Sequence, residues 1–323
     1  MRIFSDAHYP FIEKRKIAYV VSGVLLLLAI GSMLANVVLI GSWQQYGVDF
    51  TGGSLIQVRF HVPMTAGELR DALGGADAPA ITKFGAENDF TIRAPVREDA
   101  SVDEVRQGLE DQMGAAFGSG SFEVIQADLV GAKVGGELQQ KAAFAILFSF
   151  LLTLIYIAIR FELRFGVAAI IATLHDVILT LGFLALFRVE IALPTVAALL
   201  TIVGYSLNDT IIVFDRIREN LGKKGGRKED QVALLNRSIN ETLPRTVLTS
   251  GTTLAVLLSL FALGGAVLRG FTIVLVLGVV IGTYSSIFVA SPALLEIQKR
   301  WGTGESSERE KARKRRKSAS VPV

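Results

Sequence analysis

The 323-residue sequence has no cysteine and only three histidines. Without cysteine the chain has no disulfide framework, no thiolate nucleophile and no cysteine-ligated metal. The histidines, His8, His61 and His175, lie in different segments, so no metal site is expected. The sequence also lacks a Walker A motif, a nucleophile elbow and a zinc-binding motif. ATPase and protease functions therefore have no support.

Long apolar runs are what the sequence has in abundance. Hydrophobic residues make up 51% of the chain, and they come in blocks rather than at helical or strand spacing. Runs of about 18 or more apolar residues with few charges are typical of helices that span a bilayer. Six such runs occur, at residues 17–40, 142–159, 165–187, 191–214, 246–263 and 271–295. The sequence therefore predicts a polytopic α-helical membrane protein.

The first apolar run follows the charged cluster Glu13 to Lys16 and could be a secretory signal peptide. It is longer than a typical signal core, and no small-x-small cleavage site follows it. We therefore interpret residues 17–40 as an uncleaved first span, preceded by a cytoplasmic N-terminus at residues 1–16.

The basic residues predict the orientation of the spans. Alternate connections and the tail carry most of them: Arg160, Arg164, Arg216, Arg218, Lys223, Lys224, Arg227, Lys228, Arg237, Lys299 and Arg300. The other connections hold only Arg188 and Arg269. Because cytoplasmic loops are enriched in lysine and arginine, both termini are predicted in the cytoplasm, which for a bacterial protein means a place in the inner membrane.

The remaining domain boundaries follow from this orientation. Residues 41–136 are predicted to be periplasmic, and residues 137–298 to form a five-helix membrane bundle. Within that bundle, residues 215–243 are predicted to include an amphipathic segment along the cytoplasmic face. The basic tail, residues 299–323, is expected to be solvated and to contact anionic lipid, with no nucleic-acid role.

The predicted periplasmic domain has the element order of a ferredoxin-like fold. Its pattern indicates strands at residues 54–62, 80–84, 89–94 and 122–129, and helices at 65–73 and 101–117. The order is β-α-β-β-α-β, and about 80 residues are enough for one small core.

Asp209 is the first candidate for function. It lies inside the fourth apolar run, with Asn208 and Thr210 beside it. A carboxylate in such a helix costs about 2.5–3.5 kcal/mol on insertion scales and should face protein or water. Thr201, Tyr205 and Asn208 recur at helical spacing and form a stripe that is either a wet path or a packing seam. The alternative is an aspartate that only locks two helices together.

Arg245 opens the fifth run, followed at helical spacing by Thr249 and Thr252. A lone arginine at the end of a span commonly extends to the lipid headgroups. The similar depth of Asp209 makes a pair possible. Our hypothesis is that Asp209 and Arg245 form a protonation switch, because burial and a nearby guanidinium have opposite effects on a carboxylate's affinity for protons.

Other residues are secondary candidates. His175 and Asp176 form a second polar pair within a span, for which a structural role is favoured, and Asp215 is expected at the membrane interface. The segment GVDFTGG, residues 47–53, is interpreted as a hinge and not a phosphate-binding loop, because it lacks GxxxxGK[ST]. Its hinge residues are Gly47, Asp49, Phe50, Gly52 and Gly53.

Three segments together resemble the SecF family of bacterial Sec translocase subunits. They are GVDFTGG after the first span, GYSLNDTIIVFDRIREN at the end of the fourth, and RSINETLPRTVLTSGTT leading into the fifth. The resemblance covers residues 17–295. SecF is similar to half of a resistance-nodulation-division (RND) transporter: one span, a periplasmic domain, then five spans.

The resemblance implies a function and partners. It implies a complex with SecD, association with the SecYEG channel and YajC, and contact with unfolded polypeptide in transit. The implied activity is proton-motive-force-driven assistance of late protein export, with protons as coupling ion and no other cofactor. The family's intramembrane aspartate falls on Asp209 and its fifth-span arginine on Arg245. Because the chain has no SecD half, the partner carboxylate must come from another chain.

Two other functions are alternatives for a protein with six spans. One is half of an RND-type exporter of lipids or small molecules, which would need a larger periplasmic domain than about 80 residues. The other is a scaffold whose buried charges only hold the bundle together.

Overall fold

The computed structural model describes residues 8–75, 78–85, 87–94, 102–160, 162–223 and 229–301. Within these ranges, six helices are long and apolar enough to cross a membrane, and a small sheet domain follows the first. The predicted fold class is confirmed. Lys224, Arg227, Lys228 and most of the predicted basic tail lie outside the described residues.

The elements follow one another along the chain in a simple order. The helices are α1 (Arg15–Ile40), α2 (Val48–Thr51), α3 (Ala66–Ala72), α4 (Val102–Phe117), α5 (Ala132–Arg160), α6 (Leu163–Leu186), α7 (Leu193–Gly222), α8 (Gln231–Leu263), α9 (Gly265–Ser285) and α10 (Ser291–Trp301). The strands are β1 (Gly53–Phe60), β2 (Ala80–Lys83), β3 (Asp89–Ala94) and β4 (Phe122–Val130). A π-helical turn, Ser286–Ala290, joins α9 to α10, so these three form the last span.

The soluble domain is ferredoxin-like. Its antiparallel sheet has the order β2-β3-β1-β4. Alternate residues of the strands, such as Ile56, Val58 and Ile92, face α3 and α4 and form a separate core with Leu69 and Met113. The opposite face of the sheet is left for other contacts.

The membrane bundle has a buried centre and an open periphery. About half or more of α6, α7 and the last span is buried inside the chain, whereas α1, α5 and α8 are mostly exposed. Exposed apolar side chains are expected where a helix meets lipid. Polar side chains on an exposed span face need another explanation, and α7 and α8 carry several.

The predicted amphipathic segment at residues 215–243 is divided between two helices. Its first part belongs to α7, and residues 231–243 are continuous with the fifth span across Pro244. Leu234, Leu235 and Ile239 pack into the bundle core, and Asn240 Oδ1 accepts a hydrogen bond from Tyr9 N at 2.9 Å. The apolar face is therefore covered by protein, and the helix continues through Pro244.

Candidate functional site

Asp209 is buried near the middle of α7. The helix begins after Ala192 and has Pro194 in its first turn, where a missing N–H is tolerated. Asp209 is 1% exposed, and its Oδ2 atom has no hydrogen-bond partner among the described residues. Buried polar groups are nearly always hydrogen-bonded, and an exception calls for an explanation. A carboxylate that only locked two helices together is expected to have both oxygens hydrogen-bonded, and Asp209 has one unpaired oxygen among the described residues.

Arg245 and Ser250 on α8 are the neighbours of Asp209. The positive charge of Arg245 attracts the carboxylate of Asp209 electrostatically. The Ser250 side chain faces the same carboxylate. The Ser250 hydroxyl and Thr283 Oγ1 are 2.7 Å apart. Asp209 and Arg245, both within the described ranges, do not form a contact ion pair. Arg245 is exposed, so its side chain is not held by packing in the core.

The predicted polar stripe of α7 lies on an open face of the bundle. Thr201, Gly204 and Asn208 are exposed, and a Cβ atom added at Gly204 would meet nothing within 4 Å. Tyr205 is half-buried, and its hydroxyl lies 3.4 Å from both Ser250 Oγ and Thr253 Oγ1. The stripe therefore runs along the outside of this chain beside the buried Asp209, where another protein surface can cover it.

The other predicted supporting residues occupy different positions. Thr210 is buried on the inner side of α7. The Thr249 hydroxyl donates to the carbonyl of Arg245 at 2.9 Å, which is a hydrogen bond within α8 and not a contact with Asp209. Asp215 lies 3.5 Å from Arg218 with its side chain 41% exposed, and it is not part of the Asp209 cluster.

His175 and Asp176 join four helices. His175 Nδ1 is 2.9 Å from Asp176 Oδ1, and His175 Nε2 is 3.2 Å from Ser22 Oγ on α1. Ser206 Oγ on α7 donates to Asp176 Oδ2, and Tyr284 OH on α9 lies 3.1 Å from Ser22 Oγ. Sequence reasoning found the pair but missed Ser22, Ser206 and Tyr284, which no spacing connects to it. This satisfied network fits the structural role favoured from the sequence.

We expect Asp176→Leu to destabilise the bundle. His175 and Ser206 would each lose a buried partner, at about 1–3 kcal/mol for each unsatisfied group. The free energy of unfolding should therefore fall by about 2–4 kcal/mol, which is measurable as a lower midpoint in the unfolding of the detergent-solubilised chain. Asp215→Leu is the matched control, since its carboxylate is partly exposed. Equal midpoints for the two variants would contradict the structural role.

Segment 47–53 attaches the soluble domain to the bundle. Gly47 N donates to Ile191 O at 2.9 Å, and Asp49 Oδ2 accepts from Leu193 N at 2.7 Å. Phe50 is buried against α6, α7 and α9. The predicted hinge is thus fixed to the bundle over its first half. The hinge stays a prediction.

Gly52 and Gly53 begin the sheet domain with positive φ angles of 72° and 118°. Residues with a side chain rarely adopt these angles. Gly135 of α5 also packs so closely that an added Cβ would lie 2.9 Å from Gly52 N. Gly52 and Gly53 therefore allow the turn into β1, and Gly135 allows the close approach of α5.

Asp49→Ala should weaken the start of α7. Ala192, the residue before α7, makes no side-chain cap, so the Asp49 carboxylate takes that place from a distant segment. Loss of an N-terminal cap costs about 0.5–2 kcal/mol. We expect faster hydrogen exchange of the first amides of α7 in Asp49→Ala, and little change in Asp49→Asn, which keeps an acceptor oxygen. Unchanged exchange in the alanine variant would exclude the capping role.

Comparisons with known proteins identify the family. The model "Protein export membrane protein SecD/SecF, C-terminal" matches residues 110–300, and "SecD/SecF GG Motif" matches residues 45–64. Protein translocase subunit SecF of Gemmatimonas aurantiaca is 43% identical over 93% of this chain and 90% of its own length. The SecF subunit of Rhodothermus marinus is also 43% identical, over 93% of this chain and 96% of its own.

Solved structures agree with the sequence relatives. The crystal structure of SecDF from Thermus thermophilus, a translocon-associated membrane protein, matches with a TM-score of 0.79 and 37% identity over 93% of this chain. SecDF in a super-membrane-facing form matches with a TM-score of 0.65 and 38% identity over 94% of it. In both cases the chain spans 40% of the SecDF length. With these relatives and both family models in agreement, the chain belongs to the SecF family of protein translocase subunits.

Proposed function

We propose that this chain works with a SecD-type partner to couple the proton motive force to late steps of protein translocation across the bacterial inner membrane. The observation that carries the proposal is Asp209, a buried carboxylate with an unpaired oxygen inside a span. Intramembrane carboxylates of this kind mark proton relays and ion pathways in pumps and transporters.

The exposed polar stripe supports a membrane partner for this chain. Thr201 and Asn208 on α7 and Arg245 on α8 lie on a face that the chain leaves uncovered beside Asp209. Polar side chains inside a membrane almost always face protein or water. The SecDF chains are more than twice as long as this one and match it over 40% of their length. A SecD-type subunit would supply the second half of the bundle and the partner carboxylate.

Proton transfer at Asp209 would provide the energy for the late steps of translocation. One elementary charge that crosses 100 mV releases about 2.3 kcal/mol, which biases a two-state equilibrium by about 50-fold. The exposed guanidinium of Arg245 and the Ser250 side chain lie beside the carboxylate. A small movement of α8 relative to α7 would change their distance and thereby load or release the proton.

The proposal includes an orientation and further partners. In this orientation both termini would lie in the cytoplasm and the sheet domain in the periplasm. The distribution of basic residues among the loops supports it. The complex would act beside the SecYEG channel, with YajC as an accessory subunit, on unfolded polypeptide that emerges into the periplasm. This mechanism requires protons as the coupling ion and no hydrolytic site.

The test is export of a precursor into proteoliposomes that contain the channel and its ATP-driven motor. We expect a proton gradient to increase late-stage export only when both this chain and its SecD-type partner are present, and an uncoupler to remove the increase. Omission of either subunit is the control. Export that responds to the gradient equally well without this chain would disprove the proposal.

A further inference from the structure

A cavity of about 880 Å³ lies between the sheet domain and the bundle. Its roof is the face of the sheet that points away from α3 and α4, and its floor is the start of α7 together with the start of α9. The volume is at the upper end of the range for ligand pockets, about 300–1,000 Å³. The cavity is distinct from the Asp209 site, which lies deep in the bundle.

A row of uncharged polar side chains crosses the roof. Gln57 of β1 lies opposite Thr91 of β3 and Gln126 of β4. Thr91 in turn lies opposite Thr82 of β2. All four residues line the cavity. Since neighbouring strands are about 4.8 Å apart, the row is about 14 Å long, the length of about four residues of extended chain.

Several polar atoms of the cavity have no partner. The Oε1 atoms of Gln57 and Gln126 make no hydrogen bond among the described residues, and neither do the Nε atoms of Arg93 and Arg269. Gln57 is only 7% exposed. Unsatisfied buried groups on one surface indicate a missing ligand or water. This ligand must both donate hydrogen bonds to the glutamines and accept them from the arginines.

The acidic residues of the cavity wall already have partners. Glu190 forms an ion pair with Arg93, which ties the sheet to the loop before α7. Asp49 accepts from Leu193 N, and Asp128 accepts from Gln126 Nε2. A cation would therefore find no free carboxylate among them. A phosphate would satisfy the arginines but would leave both glutamine oxygens without a donor.

The rest of the wall is mixed, with the polar residues Gln45, Lys83, Arg188 and Thr195 beside apolar ones. Val48, Leu193 and Phe271 lie on the floor, so side chains of varied shape can rest there without specific contacts. Peptide backbone offers one donor and one acceptor per residue, which matches the roof. We propose that this cavity binds an extended segment of about four residues of unfolded polypeptide, held through its backbone by the Gln57 row. This inference rests on the proposed function, because translocation supplies the polypeptide.

Disulfide trapping tests the inference directly, because the chain has no cysteine of its own. A precursor with a single cysteine is stalled in the channel beside the complete complex with the SecD-type partner, and an oxidant is added. Thr91→Cys and Gln126→Cys should trap the precursor. The matched control is Glu123→Cys, on the same strand as Gln126 but outside the cavity. We expect the two cavity positions to trap severalfold more precursor than the control.

A second variant tests whether the amide of Gln57 binds the polypeptide backbone. Gln57→Leu, introduced into the Thr91→Cys chain, removes the buried amide and should reduce trapping about tenfold. Equal trapping at Glu123→Cys, or no trapping at either cavity position, would overturn the inference. Labelling of the cavity by a photoactivatable phospholipid, without trapping of precursor, would also overturn it in favour of a lipid site.

The two proposals can fail separately. Trapping of a stalled precursor is measured without a proton gradient, so it does not require the proton coupling of the proposed function. Absence of trapping in a complex with gradient-dependent export would reject the cavity alone.

Discussion

Asp209→Asn should remove the gradient-dependent part of precursor export and leave the ATP-driven part unchanged. Asparagine has nearly the same shape as aspartate but cannot gain or lose a proton in this range. The unpaired Oδ2 position would become part of a neutral amide, so the complex should assemble as before. The expected loss is the whole contribution of the gradient, a bias of about 50-fold per charge at 100 mV. The measurement is export into proteoliposomes with and without an uncoupler.

Asp215→Asn is the matched control for this prediction. It makes the same chemical change six residues later on α7, at a carboxylate that is 41% exposed and lies 3.5 Å from Arg218. We expect normal gradient dependence in this variant. Full gradient-dependent export in Asp209→Asn would show that the buried carboxylate is a structural element, and the coupling group would then have to be sought at His175 and Asp176.

Gly182→Val should separate the first span from the bundle. A Cβ at Gly182 of α6 would overlap both the backbone and the side chain of Ala29 on α1. Two helices at this distance cannot accept a side chain unless one of them moves, and small residues are typical of such contacts in membranes. Overpacking costs about 1–3 kcal/mol when the core can adjust, and more when backbone blocks the way.

The same displacement would break hydrogen bonds between the helices. Ser32 Oγ donates to Gly182 O at 3.0 Å, and Asn36 Nδ2 donates to Ala185 O at 2.9 Å. Each contributes about 0.5–1.5 kcal/mol. We therefore expect the free energy of unfolding in detergent to fall by about 3 kcal/mol or more.

Gly31→Val is the control for the helix contact. It introduces the same side chain into a spanning helix, but nothing lies within 4 Å of its Cβ position. A similar loss of stability in both variants would show that the effect comes from valine in a helix and not from the α1–α6 contact.

Much of the architecture could be predicted from the sequence because its signals are local. Apolar runs identify the six spans, and the element order identifies the ferredoxin-like domain; the structure confirms both. The burial of Asp209 also follows from a local signal, since a charge inside an apolar run has to face protein or water.

The contacts that organise the site could not be predicted, because they join distant residues. Asp49 caps a helix that begins 144 residues later. Ser22 reaches His175 from another span, and Tyr284 reaches Ser22 from a third. The apolar run starts the fifth span at residue 246, whereas the helix begins at Gln231 and its first turns, with Leu234 and Ile239, pack in the bundle core.

The capping of α7 by Asp49 connects the first residue of this helix to the segment that leads into the sheet domain. Asp49 holds the helix at Leu193, and Asp209 lies on the same unbroken helix, about 24 Å further along. A tilt of about 10° around Asp209 would displace the capped end by about 4 Å over this length. Under the proposed function, α7 would thus act as a rigid rod that converts proton transfer at Asp209 into movement at the membrane surface.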